Sequence, residues 1–199
     1  MIIGVINIKG GVGKTTSSLA IATAAQRSGL SVTVVDTDPQ GSATLWAQAA
    51  EDADDPLPFP VVSKNQAEIR RMRERRPDRD GELIALDTPP NGAVVDEAIK
   101  TADFVVIPTL SSPIDLQQTM LTAAQCQDAG KDYAVLIVMA RKGTNALRAF
   151  RTAVEEYGAG IFDTEIPLRE DFKADFGHTF RSNLNGYEDV WNELRGELR

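Results

Sequence analysis

Two lysines and three glycines occupy a run of eight residues near the start of the chain. The run reads KGGVGKTT, covers residues 9–16 and follows a short β-branched segment, residues 1–7. Glycines let backbone N–H groups converge on an anion without Cβ atoms in the way, and a helix that begins there adds partial positive charge. A glycine-rich turn that merely joins a strand to a helix would not require the GKTT ending. The run therefore predicts a cradle for phosphate groups, formed by Lys9, Gly10, Gly11, Val12, Gly13, Lys14, Thr15 and Thr16.

Individual side chains in this run have different uses. Lys14 supplies a mobile positive charge for the β- and γ-phosphates of a nucleotide, and the Thr15 hydroxyl is a group that coordinates Mg²⁺. The ordinary motif of this kind has a glycine six positions before its lysine. This chain has Ile8 at that position, followed by a second lysine, Lys9.

One aspartate ends the apolar run at residues 31–36, and a second aspartate follows two positions later. Asp36 and Asp38 are two positions apart in an extended segment, so alternation places both carboxylates on one side. The alternative is that one of them caps the helix predicted to begin at Ser42. Gly41 and Ser42 themselves suit that capping position better than either aspartate.

A third aspartate, Asp87, ends the apolar run at residues 83–87. A carboxylate at the C-terminal end of a buried parallel strand faces the crevice where α/β folds bind ligands. We therefore predict that Asp87 holds Mg²⁺ through a water molecule. Without a metal it would need other partners to offset its burial, and the sequence suggests none.

Apolar and helical patterns alternate along the whole chain. Continuous apolar runs separated by helices predict an α/β fold, doubly wound, with a mostly parallel sheet and helices on both faces. The predicted strands are 1–7, 31–36, 83–87, 104–108, 133–140 and, more weakly, 160–166. The predicted helices are 15–28, 42–50, 67–75, 93–101, 116–128, 146–157 and 186–198. We expect the proline-rich stretch at 51–60 to be a connecting loop.

Composition limits the class of protein. With 199 residues and 42% hydrophobic content, the chain can bury one core, and we expect a single domain over residues 1–199. Its longest apolar runs fall far short of the roughly 20 residues of a membrane span, which favours a soluble, cytoplasmic protein. One cysteine and one histidine exclude an internal disulfide and a Cys/His metal site within one chain.

The formal net charge of −8 means that nucleic-acid binding would need a local cationic patch. One candidate is a group of arginines that alternates with acidic residues, for which a solvated helix face is the alternative. The group consists of Arg70, Arg71, Arg73, Arg75, Arg76 and Arg79.

KGGVGKTT, the DTDPQ string at 36–40 and LIALDTPP at 83–90 together resemble the ParA/MinD superfamily of ATPases. The resemblance implies a P-loop ATPase with ATP and Mg²⁺ as cofactors and a homodimer formed on ATP. It implies that Lys9 reaches phosphates in the partner subunit, although a solvated lysine without a role is the alternative. It further implies that Asp38 orients the attacking water, that Asp36 lies just behind the metal, and that the metal site comprises Thr15, Asp38 and Asp87.

Loops further along the chain resemble those that border the nucleotide base in relatives. The resemblance implies that Arg141, Pro167 and Arg169 are adenine neighbours, and loop residues without a ligand are the alternative. Pro108 and Asp115 also occupy positions familiar from the superfamily.

Within the superfamily, the chain resembles small ParA-type partition ATPases that lack an N-terminal DNA-binding domain, because the phosphate loop starts at residue 9. A single cysteine argues against the nitrogenase iron protein. The acidic C-terminal helix argues against membrane anchoring of the MinD type. The resemblance implies weak hydrolysis stimulated by a centromere- or cargo-binding partner, non-specific DNA binding and association with the nucleoid when ATP is bound. Candidate DNA contacts are Arg169, Lys173 and Arg181, with the arginine group at 70–79 as competitor.

Two other functions stay open. One is a metabolic P-loop ligase or kinase with a small-molecule acceptor, and the other is a nucleotide-gated regulator that acts on a protein partner. The two lysines favour partition over the ligase, but they do not separate partition from the regulator.

Overall fold

The computed structural model describes residues 1–74, 81–169 and 175–197. The described strands are β1 Ile2–Val5, β2 Ser31–Asp36, β3 Val61–Ser63, β4 Glu82–Asp87, β5 Phe104–Thr109 and β6 Asp132–Ile137. The described helices are α1 Lys14–Arg27, α2 Ser42–Asp52, α3 Gln66–Glu74, α4 Ala93–Thr101, α5 Pro113–Asp128, α6 Asn145–Glu156 and α7 Tyr187–Glu197. None of these helices is long and apolar enough to cross a membrane.

All six strands run parallel in one sheet with the order β3-β2-β4-β1-β5-β6. Successive residues of β1 point to opposite faces, so Ile2 packs with α4 and α5 while Ile3 packs with α1 and α7. Asp87 pairs in register with both Val5 and Asp36, which brings the ends of three neighbouring strands to the same level. The predicted doubly wound α/β fold is confirmed, and its crevice lies at these strand ends.

Helix α1, which begins at the phosphate loop, is fixed by α7. The Ser17 hydroxyl shares a 2.8 Å hydrogen bond with the buried Tyr187 hydroxyl. The Trp191 indole N–H donates to the Ser28 hydroxyl at 3.0 Å. Arg27, at the end of α1, donates to three backbone carbonyls in residues 180–182. These contacts hold the first helix rigidly behind the loop.

The predicted strand at 160–166 is wrong. This segment forms isolated parallel bridges to the outer edge of β6, Val135 with Ile161 and Ala140 with Pro167, and no regular strand between them. The reason is that the N–H groups of Asp163 and Thr164 donate to the Glu193 carboxylate of α7, at 2.8 and 3.0 Å, so the segment turns away from the sheet.

The predicted loop at 51–60 is shorter than expected, because α2 continues to Asp52. Directly after Pro60, the chain forms the three-residue edge strand β3, which the sequence pattern missed. A strand this short has too few residues to show an alternating pattern.

Candidate functional site

The glycine-rich loop lies at the C-terminal end of β1. Gly11 and Gly13 have φ angles of +76° and +75°, in the left-handed region where a side chain would be strained. The first backbone hydrogen bond of α1 runs from Ser17 N–H to the Gly13 carbonyl, at 2.8 Å. The N–H groups of the preceding turn thus have no partner within the helix, and they are the groups that bind anions at such a position.

Asn7 is a residue of this loop that sequence reasoning missed. Its amide N–H donates to the Pro108 carbonyl of β5 at 2.9 Å, and its side-chain oxygen accepts from Lys9 N–H at 2.9 Å. It thereby ties the start of the loop to the neighbouring strand. The polar residue that closes the first apolar segment was the available signal, but its partner is 101 positions away in the chain.

Lys14 lies over the loop and is only 8% exposed. Its ammonium donates to the Lys9 carbonyl at 2.9 Å. Burial lowers the pKa of Lys14 from its ordinary value, and the nearby carboxylates of Asp87 and Asp38 offset part of that effect. A phosphate group in the loop would offer this ammonium a stronger partner than a neutral carbonyl.

Asp87 is 1% exposed at the end of β4. The Thr15 hydroxyl donates to one of its oxygens at 2.8 Å and the Ser18 hydroxyl to the other at 3.1 Å. The expectation that this aspartate would lack polar partners is therefore wrong. Burial raises the pKa of Asp87 to about 7, with a contribution from the nearby Asp36 carboxylate, and the two hydroxyls lower it in part.

A hard cation fits the Thr15–Asp87 pair, because a buried carboxylate with a raised pKa gains most from a nearby positive charge. The described residues contain no cluster of three or more carboxylate, thiol or imidazole groups that could hold a metal ion by itself. Mg²⁺ does not need one, because it is usually held by one or two protein oxygens, phosphates and water.

Asp36 is fully buried and anchors the segment that follows β2. It accepts from the Asp38 N–H at 3.1 Å, and from the Thr44 N–H and hydroxyl at 2.9 and 2.8 Å. Gly41 occupies the N-cap position of α2 without a side-chain cap. The expectation that the capping position lies at residues 41 and 42 is confirmed for Gly41, and Asp36 supplies the side-chain acceptor that Gly41 lacks.

Asp38 is half-buried in the same segment. Its carboxylate accepts from the Gln40 N–H at 2.8 Å, which closes a tight turn. The N–H and hydroxyl of Thr37 both donate to the Asp87 carbonyl, at 2.9 and 2.8 Å. Asp38 is thus carried next to the strand end that holds Asp87.

Lys9 reaches out of the loop to α5. Its ammonium contacts the Asp115 carboxylate, and the Asp115 side chain is 2% exposed. Ser112 and Asp115 form a capping box at the start of α5, in which each side chain bonds the backbone N–H of the other residue.

The predicted adenine neighbours lie together at the end of β6. Ala140 and Pro167 are bridged, so Arg141 and Pro167 are neighbours in space. Arg169 follows two residues later and is exposed. A Cβ atom on Gly13 would lie 3.8 Å from Val138, which places the end of β6 beside the phosphate loop.

The candidate DNA contacts do not form one patch among the described residues. Arg181 is exposed and forms an ion pair with Asp175 at 3.6 Å, and its carbonyl is bound by Arg27 at the far end of α1. Arg169 lies at the opposite end of the sheet, near the loop. Lys173 and the arginines at 75, 76 and 79 lie outside the described residues.

Within the arginine group, Arg70 and Arg73 both form ion pairs with Glu97 of α4, at 3.4 and 3.2 Å. The Glu97 side chain is only 5% exposed. These two arginines therefore join α3 to α4, a structural use that competes with DNA binding.

The parallel sheet, the glycine loop between β1 and α1 and the buried aspartate at the end of β4 define a P-loop nucleotide-binding fold. Residues 3–179 match the family model described as CobQ/CobB/MinD/ParA nucleotide binding domain, and the chain belongs to that family. The recognition of a ParA/MinD-type ATPase from the two-lysine loop is thereby confirmed.

This chain is similar to maintenance of carboxysome distribution protein A from two bacteria. The protein from Gloeobacter kilaueensis is 34% identical over 170 residues, covering 83% of this chain and 76% of that protein. The one from Halothiobacillus neapolitanus is 29% identical, covering 86% and 81%.

Solved structures share the fold. A putative plasmid partition protein from Borrelia burgdorferi, bound to AMPPNP, has a TM-score of 0.74 at 17% identity, covering 98% of both chains. Cobyrinic acid a,c-diamide synthase from Mycobacterium smegmatis, with bound ADP and magnesium, also reaches 0.74 at 18% identity, covering 99% of this chain and 94% of that one. The fold alone therefore does not distinguish a partition protein from a synthase.

Proposed function

We propose that this chain is a ParA-type ATPase that binds Mg-ATP, forms a homodimer with the nucleotides between the subunits, and positions a cargo on DNA with a partner protein. The observation that carries the proposal is that two lysines of one loop differ in burial and in direction. Lys14 is buried over the loop, whereas the Lys9 side chain is 29% exposed and extends away from it.

The phosphate loop, Lys14 and the first turn of α1 bind the β- and γ-phosphates. Thr15 and Asp87 are the residues that would hold Mg²⁺, and the ion would supply positive charge beside the phosphates. Arg141, Pro167 and Arg169 border the adenine, a role supported by the proximity of the end of β6 to Gly13.

Asp38 orients the water that attacks the γ-phosphate. Its support is positional: the turn that carries it is anchored by Asp36 on one side and by the Asp87 carbonyl, through Thr37, on the other. A carboxylate held this way loses little freedom when it accepts a proton or positions a nucleophile.

Lys9 completes the active site of the partner subunit. A positive charge brought to the transferring phosphoryl group stabilises the charge that develops there, so dimerisation and hydrolysis become linked. Basal hydrolysis by the monomer is accordingly weak.

The cargo is a plasmid, a chromosome or another body, such as the carboxysome in the names of two relatives. A centromere- or cargo-binding protein stimulates hydrolysis and releases the dimer from DNA. Such a protein is cytoplasmic and associated with the nucleoid while ATP is bound.

The test compares the two lysines. Lys14→Ala should abolish ATP binding in calorimetry, because the buried charge that compensates the phosphates is lost. Lys9→Ala should bind ATP normally but fail to dimerise with AMPPNP in light scattering.

Lys100→Ala is the matched control, since this exposed lysine of α4 lies near the start of β5, at the other end of the sheet. It should behave as the parent protein in both measurements. Retained affinity in Lys14→Ala, or normal dimerisation and turnover in Lys9→Ala, would contradict the proposal.

A further inference from the structure

The contact between Lys9 and Asp115 joins two elements of the same subunit. The Asp115 carboxylate is held rigidly, because the Ser112 N–H donates to it at 3.1 Å and the Ser112 hydroxyl also contacts it. Only 2% of the Asp115 side chain is exposed, compared with 29% for Lys9. The lysine is therefore the partner that can move.

The electrostatics of the pair favour this contact. Burial alone would raise the pKa of Asp115, but hydrogen bonds from Lys9 and Ser112 and the charge of Lys9 hold that pKa below its ordinary value. The carboxylate is thus charged at neutral pH. Removing the ammonium would leave a buried negative charge with only Ser112 as partner, which is unfavourable.

We infer that Asp115 is a positioning residue that holds Lys9 inside its own subunit until nucleotide-driven dimerisation draws it away. The inference rests on the proposed function, in which Lys9 acts across the dimer. The γ-phosphate of ATP offers more negative charge than a single carboxylate, so ATP can compete for Lys9. ADP lacks that group, and the internal contact then keeps the protein monomeric.

Asp115→Asn tests the inference, because asparagine keeps the shape and can still accept the Ser112 N–H. The variant should dimerise more tightly than the parent with AMPPNP and Mg²⁺, by up to about 25-fold, because the homodimer releases two partly exposed ion pairs and each contributes a factor of up to about five. Sedimentation equilibrium measures the dimer dissociation constant, and circular dichroism checks that the variant is folded.

Ser112→Ala is the matched control. It removes a hydroxyl from the same carboxylate and loosens the same capping box while leaving the Asp115 charge in place, so the dimer constant should not change. A second readout is the double variant Lys9→Ala/Asp115→Asn. It should dimerise no better than Lys9→Ala, because no lysine is left to release.

The inference is overturned if the parent dimerises and Asp115→Asn dimerises no more tightly, or if Ser112→Ala has the same effect. It is also overturned if Asp115→Asn strengthens the dimer in the absence of Lys9, since its effect would then be on the fold of α5. If the parent itself stays monomeric with AMPPNP, the proposed dimer is wrong and the inference falls with it.

Discussion

Asp87 combines deep burial with a negative charge that its immediate neighbours only partly compensate. Its hydroxyl partners Thr15 and Ser18 lower its pKa, yet burial raises that pKa to about 7. The folded protein therefore takes up a proton at a pH where the unfolded chain has lost it. A divalent cation beside the carboxylate would favour the ionised form instead.

Asp87 should make the nucleotide-free protein less stable as the pH rises. Its folded pKa of about 7 lies above the ordinary value, so the free energy of unfolding falls between the two values, by on the order of 4 kcal/mol, and levels off above the folded pKa. Asp87→Asn should lose this pH dependence. In calorimetry, its melting temperature should therefore rise relative to that of the parent between pH 5 and pH 7.5.

The exposed Asp96→Asn is the control for this measurement and should follow the parent at every pH. A constant difference in melting temperature between Asp87→Asn and the parent over that range would mean that Asp87 is already ionised in the folded protein.

Asp38→Ala should trap the ATP-bound dimer. Removing the carboxylate proposed to orient the water should lower turnover by at least about 100-fold, while the phosphate contacts and Thr15 remain. Phosphate release measures turnover, and light scattering measures the dimer.

Asp38→Asn separates chemistry from geometry, because it can still accept the Gln40 N–H that closes the turn. It should lose turnover as severely as Asp38→Ala. Turnover at the parental rate in either variant would move the role to Asp87 or elsewhere.

At the residue scale, the sequence indicated which polar side chains lie at the strand ends beside the phosphate loop, but not what surrounds them. The partners of Asp87 were missed, although Thr15 and Ser18 are three positions apart on a helix and share one face. The link from Asn7 to Pro108 was not readable, because no local pattern reports a contact between distant strands.

At the scale of elements, the segment between β2 and α2 depends on one buried side chain. Asp36 accepts three hydrogen bonds from Asp38 and Thr44, and no water replaces them at a fully buried site. It therefore sets the position of Asp38 and the start of α2 together.

Asp36→Ala should destabilise the nucleotide-free protein by about 1–3 kcal/mol, because it leaves buried backbone donors unpaired. Urea unfolding gives the free energy, and hydrogen exchange should speed up at the amides of residues 38 and 44. Thr44→Val removes only the hydroxyl and should cost less. If Asp36→Ala unfolds at the parental urea concentration with unchanged exchange, these hydrogen bonds do not hold the segment.

The predicted boundaries of helices and strands agree with the structure where an apolar run is long and a polar residue ends it. Helix α4 and strand β2 match their predicted ranges to the residue. The failures at β3 and at 160–166 have a common cause, since both lie at sheet edges. There, pairing depends on distant groups such as the Glu193 carboxylate and not on local periodicity.

At the scale of the whole molecule, DNA binding must overcome a net charge of −8. A monomer with two or three cationic contacts would bind DNA weakly, whereas the proposed ATP dimer would double the number on one assembly. Arg169 and Arg181 lie at opposite ends of the sheet, so a DNA duplex contacting both would have to span the side of the subunit.

We expect ATP, but not ADP, to give sequence-independent binding to duplex DNA that is lost at high salt, with a slope of roughly 0.9 per phosphate contact. Arg181→Glu should weaken this binding in a filter assay and leave ATP binding intact. Lys100→Glu makes the same charge change on the opposite face of the sheet and should have a smaller effect. If no duplex is retained with ATP at low salt, the nucleotide-gated regulator becomes the better explanation.

The outer edges of the sheet limit how this protein can associate with itself. Segment 160–168 binds the outer backbone groups of Val135 and Ile137 in β6 and of Ala140 just beyond it, and β3 offers only three residues after Pro60. A bare edge would recruit strands from other chains and seed aggregates. Copies of this chain that lie close together are thereby denied strand addition, an association that nucleotide could not reverse. In the proposed dimer, contacts between copies would instead form through side chains and nucleotide, which ATP turnover could break.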